Sequence, residues 1–431
     1  MKMTNANRAV LFSIIGLCII SILYRYIPRE PFQRKTTLYL DLGQMAFLHD
    51  ENSVLQNLIT QFEEENPDIV VVPVVHSSQD LAKKLFDPPL AADSEENEKQ
   101  VQSDLLLFDM DWLPNLRNSG ALESLARFPK DNPGMNSLYE SSKVEGNSYA
   151  IPLFSNPSFF FYNIDVLKAA GFDRPPKNRD EFLSYCRALK EKNIAGIGLA
   201  LSADNHSGML HSGMLGDIYS WFWNSDISFI EDGEPQFSSR PALDTLRFLD
   251  TLSRENLISP ESFAKTESAK IDEFCSGNIA MMITSLSSVP EIMNRAQFEW
   301  GIGTVPSAAS YIGNPLFVTE SSGIGIYAQS EQQEAAWQFL AFLAAEEQNS
   351  ALASSYYCIP KNQNIQSSFF QESPQLEKAQ ALLNAGKHIN EFDDQPGVFI
   401  AEKSIRDELQ KMMSGELSPE LTAEAIQKRW E

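Results

Sequence analysis

The chain has 431 residues, 43% of them hydrophobic and 21% charged, with a formal net charge of −24. That length suggests two or three units of ordinary size and enough apolar material for sizeable cores. The acidity argues against a nucleic-acid binder, which needs a basic face, and the ordinary Gly and aromatic content excludes global disorder and collagen-like repetition.

The charge is uneven. Residues 1–35 hold six bases, Lys2, Arg8, Arg25, Arg29, Arg34 and Lys35, against the single acid Glu30. The head is therefore +5, and the remaining chain, with 28 bases and 57 acids, is −29. Residues 9–24 read AVLFSIIGLCIISILY, sixteen residues without a charge behind Lys2 and Arg8. A basic start and an apolar middle is the layout of a membrane signal. With Tyr26 and Ile27 the segment reaches the short end of the ~17–25 residues a spanning helix needs. Three readings stay open: a retained anchor, lipidation at Cys18 and cleavage. Leu17 is larger than the small residue a lipidated cysteine favours before it, and no clean pair of small residues follows Tyr24 to mark a cleavage site. All three predict a chain that meets the membrane through its N-terminus.

Two prolines and mixed charge make 25–36 a tether, and Thr37-Leu38-Tyr39-Leu40 opens the folded part as a strand. Val54, Leu55, Leu58, Ile59 and Phe62 form one helix face with Ser53 placed as N-cap, and Pro67 ends that helix before a strand at 69–72. A helix is expected near 79–86 and an acidic exposed loop over 93–100. The unbroken apolar run Leu105-Leu106-Leu107-Phe108 between Asp104 and Asp109 predicts a buried strand. This alternation implies a mostly parallel sheet wrapped by helices. The pattern restarts after Pro152, with strands over 159–162, 197–200, 279–284, 301–305 and 323–327. Helices are expected over 163–170, 178–192, 240–254, 269–275, 289–295 and 331–353, and a helix-dominated end covers 375–430. Cys186, Cys275 and Cys358 fit no zinc spacing and read as free thiols. The duplicated His206-Ser-Gly-Met-Leu and His211-Ser-Gly-Met-Leu puts the two histidines five apart, off a shared helix face, so it reads as a loop and not a metal site. No HExxH, GxSxG or P-loop occurs, which argues against an enzyme, and nothing calls for a cofactor.

Several segments carry a resemblance. Phe62-Glu63-Glu64-Glu65-Asn66-Pro67, then Asp104 to Phe108 with Ser119-Gly120, then Val144-Glu145-Gly146 through Pro152 with Phe161-Tyr162-Asn163 come in order. Phe274 to Met281, Gly301 to Pro306, Ala335 to Leu340 and Cys358-Ile359-Pro360 follow. From about Thr37 to Glu431 the chain resembles the extracellular solute-binding proteins of ABC importers, the group that includes maltose-binding proteins. The resemblance implies an α/β, two-lobed periplasmic-binding-protein-like fold of class II, each lobe a mixed sheet flanked by helices. It divides the chain into an anchor and tether at 1–36, a first lobe at 37–151 plus 301–346 and a second at 155–296 plus 347–431. Crossings fall near 150–155, 298–305 and 345–350, with the ligand between the lobes. It also implies a body on the outer face of the cytoplasmic membrane, delivering a small solute, a carbohydrate, to ABC transporter permease subunits. A sensor subunit partnering a membrane signalling protein and a receptor for a non-sugar solute are the alternatives.

A sugar presents hydroxyls and an apolar face, so its site wants carboxylates, amides and aromatic rings. Asp109, Asp111 and Trp112 follow a buried strand, where α/β sheets present ligand groups; Gln44 and His49 are weaker candidates. If the resemblance holds, Phe154, Ser155 and Asn156 after the first crossing, Ser285 and Ser287 after the 279–284 strand, and Glu320, Ser321 and Ser322 before the Gly323 strand face the cleft. The absence of an aromatic ring near Ser285 departs from the family and weakens the case for a maltodextrin-type stacking platform. Tyr219, Trp221, Phe222 and Trp223 cannot all face the cleft from one helix, and Tyr219 and Trp221 are the favoured pair. Tyr356, next to Tyr357, is a candidate ring rather than a metal ligand.

Overall fold

The computed structural model describes residues 35–42, 53–75, 103–130, 133–144, 146–202, 213–225, 227–231, 234–361, 368–389, 391 and 398–430. The apolar N-terminal segment with Cys18, the expected 79–86 helix, Gln44, His49 and the paired histidines lie outside these residues. Among the described residues no helix is long and apolar enough to cross a membrane.

Among the described residues twelve strands run β1 (Thr36–Asp41), β2 (Ile69–Val74), β3 (Leu105–Asp109), β4 (Ala150–Asn163), β5 (Ala195–Gly198), β6 (Ile230–Glu231), β7 (Glu234–Pro235), β8 (Ile279–Ser285), β9 (Trp300–Gly303), β10 (Leu316–Ile326), β11 (Ile359–Pro360) and β12 (Lys387–Ile389). The main sheet has the order β2-β1-β3-β10-β4-β8-β5, with β9 and β11 on β4 and β12 on β10. The alternating pattern predicts a mostly parallel sheet, but parallel pairing joins β1 to β2 and β3, β5 to β8 and β10 to β12 alone among the described pairs of this sheet. The centre is antiparallel: β10 against β3 and β4, and β4 against β8.

Local chemistry explains most of the frame. Ser53 accepts a hydrogen bond from Gln56 N at 3.2 Å and starts the helix Val54–Glu65, whose Leu55, Leu58, Ile59 and Phe62 are buried. Leu105 to Phe108 are fully buried because Leu105 and Leu107 pack into one apolar cluster and Leu106 and Phe108 into another, so both faces of β3 are covered. Asn163 closes β4 and caps the next helix, accepting from Val166 N at 2.9 Å.

Two expectations change. The strand expected over 159–162 is the last third of β4, and the one expected over 323–327 is the second half of β10. Both strands are long because each serves two cores: the Ala150 end of β4 pairs with β10, and its Asn163 end with β8 and β9. On one side a core gathers β1, β2, β3 and the helices Val54–Glu65 and Gln333–Leu343, with a smaller cluster around Leu106, Phe108 and Trp112 on the other face of β3; on the other side two clusters gather around β5 and β8. The partition of the chain between them differs from the expected one. The helix Glu346–Ser355 buries Leu352 and Ala353 in the first core, although 347–431 was expected on the second side. β9 pairs with the Asn163 half of β4, although 301–346 was expected on the first. Short apolar runs fit either core equally well, and only the long-range pairing decides between them.

Candidate functional site

The two long strands cross from one core to the other side by side, and their midpoints carry the predicted polar residues. Ser322 pairs with Asp109 and Phe154, Ser321 with Ser155, and Glu320 with Asn156. Directly opposed residues share a face of a sheet, so Asp109, Ser322, Glu320 and Asn156 collect on one side. The register slips between Ser322 and Gly323, leaving Leu153 as the extra residue of a bulge in β4. Its carbonyl accepts from Asn349 Nδ2 and from Lys361 N, both at 2.8 Å, so the helix Glu346–Ser355 pins the bulge. Gly323 is needed there: a Cβ would lie 2.6 Å from Met110 Sδ and 2.9 Å from the Ile151 carbonyl.

On the β3 side, Ser322 Oγ donates to Asp109 Oδ1 at 2.9 Å. Burial pushes the Asp109 carboxyl up to about 6, against the opposing pull of the Ser322 bond. On the β8 side, Asn156 Nδ2 donates to Ser287 Oγ at 3.0 Å while Ser287 N donates to Asn156 Oδ1 at 3.2 Å. Ser285 and Ser287 hydroxyls lie 2.8 Å apart, and Ser285 itself pairs with Ser158 of β4. Burial, then the negative charge of Glu320 and Asp109, raises the Cys358 thiol far above its ordinary value. The crossing is thus a polar seam of carboxylates, an amide and hydroxyls, framed by backbone from four strands.

The structure brings together Asp109, Asn156, Ser285, Ser287, Glu320 and Ser322, while Ser155 and Ser321 oppose each other on the other face of the sheet. Asp111 sits half-buried in the turn Met110–Trp112 that follows β3. The aromatic candidates fare differently. Trp112 is packed among Leu106, Phe108, Leu116 and Leu122 with 2% exposure and presents no open ring face. Phe154 is fully buried in the first core. Tyr219 and Trp221, favoured for the cleft, belong to the core instead, as do Phe222 and Trp223. Trp221 is fully buried, 5.1 Å from Phe182 and 4.9 Å from Phe248 between ring centroids. The reason is local: the π-helical turn Leu215–Tyr219 runs straight into the helix Ser220–Trp223, and rings on every side meet apolar partners. Tyr356 is half-buried against the first core, and Tyr357 donates its hydroxyl to Glu372. Cys186, Cys275 and Cys358 form no disulfide among the described residues. No cluster of His, Cys, Asp and Glu suited to a metal occurs among the described residues.

Sequence reasoning missed Asn349, since one amide among the polar residues of the helix Glu346–Ser355 gives no sign that a bulge will need it. It also missed Asp217, Glu267 and Lys270, which form a buried ion cluster behind the Ser285 turn. Two open grooves lie away from the crossing. One of about 660 Å³ is lined by Glu65, Asp68, Arg127 and Glu334, and one of about 860 Å³ by Ile194, Ile258, Phe263 and Met413. Neither contains a residue of the seam.

Two cores joined by paired crossing strands, with a polar seam at the crossing, define a two-lobed binding protein. The chain belongs to the family of bacterial extracellular solute-binding proteins, whose model matches residues 48–350. A binding protein of Brucella abortus (strain 2308) is 23% identical over 333 residues, covering 75% of this chain and 76% of that one. Among solved structures, an ABC transporter solute-binding protein of Thermotoga lettingae TMO bound with alpha-D-tagatose superposes with a TM-score of 0.73 at 20% identity, over 92% of this chain and 100% of that one. UgpB of Mycobacterium tuberculosis in complex with glycerophosphocholine gives 0.71 at 18%, over 92% and 97%. The fold expected from the resemblance, two α/β lobes with mixed sheets, is the fold observed.

Proposed function

We propose that this protein captures a small neutral carbohydrate at the seam between its lobes and delivers it to the permease subunits of an ABC importer. The observation that carries the reading is the seam itself. It presents carboxylates at Asp109 and Glu320 and an amide at Asn156, groups that accept and donate hydrogen bonds to sugar hydroxyls. A phosphorylated solute, such as the glycerophosphocholine in the Mycobacterium tuberculosis UgpB structure, would meet those carboxylates as like charges. The bulge at Leu153 and Gly323 supplies the hinge: only a higher affinity of the solute for the closed arrangement drives closure. In this reading the basic N-terminal segment attaches the protein to the outer face of the cytoplasmic membrane, and it works by binding, with no catalytic step.

The test is thermal unfolding of the full chain in detergent with maltose, D-tagatose and glycerol 3-phosphate in turn. A bound solute at 100-fold its dissociation constant adds about 2.7 kcal/mol of stability, which raises the midpoint by several degrees. A rise with a sugar and none with glycerol 3-phosphate is expected. A rise with glycerol 3-phosphate alone would remove the carbohydrate reading.

A further inference from the structure

Behind the Ser285 turn lies a cluster of three charged side chains with no access to solvent. Lys270, on the helix Glu267–Cys275, is fully buried. Its ammonium is 2.9 Å from each carboxylate oxygen of Asp217, 3.1 Å from Glu267 Oε2 and 2.6 Å from the Ile283 carbonyl. An ammonium has three N–H donors, and here they are divided among three separate elements. Asp217 lies in the π-helical turn Leu215–Tyr219 and accepts a further bond from Ala200 N at 2.7 Å.

The cluster continues forward to the seam. Thr284 Oγ1 donates to Glu267 Oε1 at 2.7 Å and lies 2.8 Å from Ser288 Oγ. With its one hydrogen committed to the carboxylate, Thr284 accepts from Ser288. Thr284 and Ser288 bracket 285–287, the turn whose front face meets Asn156 through Ser287. The turn is therefore held from both sides: from the front by the crossing strand β4, and from behind through Glu267 by the ion cluster.

Stability alone does not account for this arrangement. Replacing a buried ion cluster with well-packed apolar residues is often neutral or stabilising, and this lobe has ample apolar material around it. What charges supply and apolar packing does not is direction. We infer that Asp217, Glu267, Lys270 and Thr284 are positioning residues for solute binding, fixing the Ser285–Ser287 turn in the geometry that faces the solute. The inference rests on the seam being the solute site.

The test compares Thr284→Val, Thr284→Ser and the milder Ser288→Ala in the full chain. Amide exchange at 285–288 and the affinity for D-tagatose are measured together. Losing a buried hydrogen bond to a charged group predicts roughly tenfold faster exchange at 285–288 in Thr284→Val, a smaller rise in Ser288→Ala, and rescue in Thr284→Ser. The dissociation constant for D-tagatose should rise about tenfold in Thr284→Val with the same rescue. Unchanged exchange in both Thr284→Val and Ser288→Ala would overturn the inference. Faster exchange with unaltered D-tagatose affinity would overturn it too, because the turn would then lie off the binding surface. If the unaltered protein binds none of the sugars, the carbohydrate reading fails, while the exchange rates still decide whether the cluster holds the turn.

Discussion

The two sides of the seam are built differently. On the β3 side a single carboxylate, Asp109, faces one hydroxyl, Ser322, above the apolar residues of β3. On the β8 side the hydroxyl turn is backed by a lysine and two carboxylates, all buried. The first side spends one desolvated charge, and burial raises that charge's pKa to about 6. The second keeps three charges in the interior by pairing them. Burial works against each charge, but Asp217 and Glu267 together hold the Lys270 ammonium above its ordinary pKa, while Asp217 is raised to about 7. Both sides of the seam can thus take up a proton, but only the second also holds its charges by pairing them.

Removing the cation should break this contrast most severely. Lys270→Met leaves two carboxylates buried without it and should cost about 3–5 kcal/mol in urea unfolding. The loss should be larger at pH 8 than at pH 5, where protonation relieves one carboxylate. A loss below about 1 kcal/mol would show that Lys270 does not offset the two buried carboxylates. Next comes Trp221→Ala, which should cost roughly 3 kcal/mol through the cavity left between Phe182 and Phe248 while leaving the sugar affinity of the folded fraction unchanged. A stable variant with weakened binding would return Trp221 to the site.

The smallest effect sharpens the β3 side. A carboxyl whose folded pKa exceeds its unfolded value favours the folded state when protonated. Its contribution is complete below its ordinary 3.8 and is lost as pH rises toward 6. Asp109 should therefore make the protein less stable at pH 7 than at pH 4, by on the order of 2 kcal/mol. In Asp109→Asn that part of the decline should vanish, leaving the part that runs toward pH 7 from Asp217. Melting curves from pH 4 to 8 separate the two, and an unchanged profile would show that Asp109 stays ionised throughout.

Much of the fold was legible before any coordinates. The unbroken run at 105–108, the amphipathic spacing of 54–65 and the capping residue Ser53 act over a few residues, and local chemistry settles them. The positions of the seam's polar residues at strand ends and turns were legible as well, because polar side chains there interrupt the apolar runs of β3, β4, β8 and β10. The rings were not. Tyr219 and Trp221 look alike in sequence whether they stack on a sugar or on Phe248, since both surroundings are apolar. The same ambiguity assigned Glu346–Ser355 and β9 to the wrong cores.

By itself the sequence determined a basic apolar head, an acidic body of alternating strands and helices, and a set of polar residues at strand ends. Those properties follow from period, composition and capping, each of which acts within a few residues. Only the tertiary structure decided that β4 and β10 run through both lobes, that Asn349 secures the bulge between them, and that Asp217, Glu267 and Lys270 meet behind one turn. These contacts join residues up to 196 positions apart, as Asn349 and Leu153 are. A buried lysine and an exposed one are written with the same letter, and only the surrounding chain tells them apart.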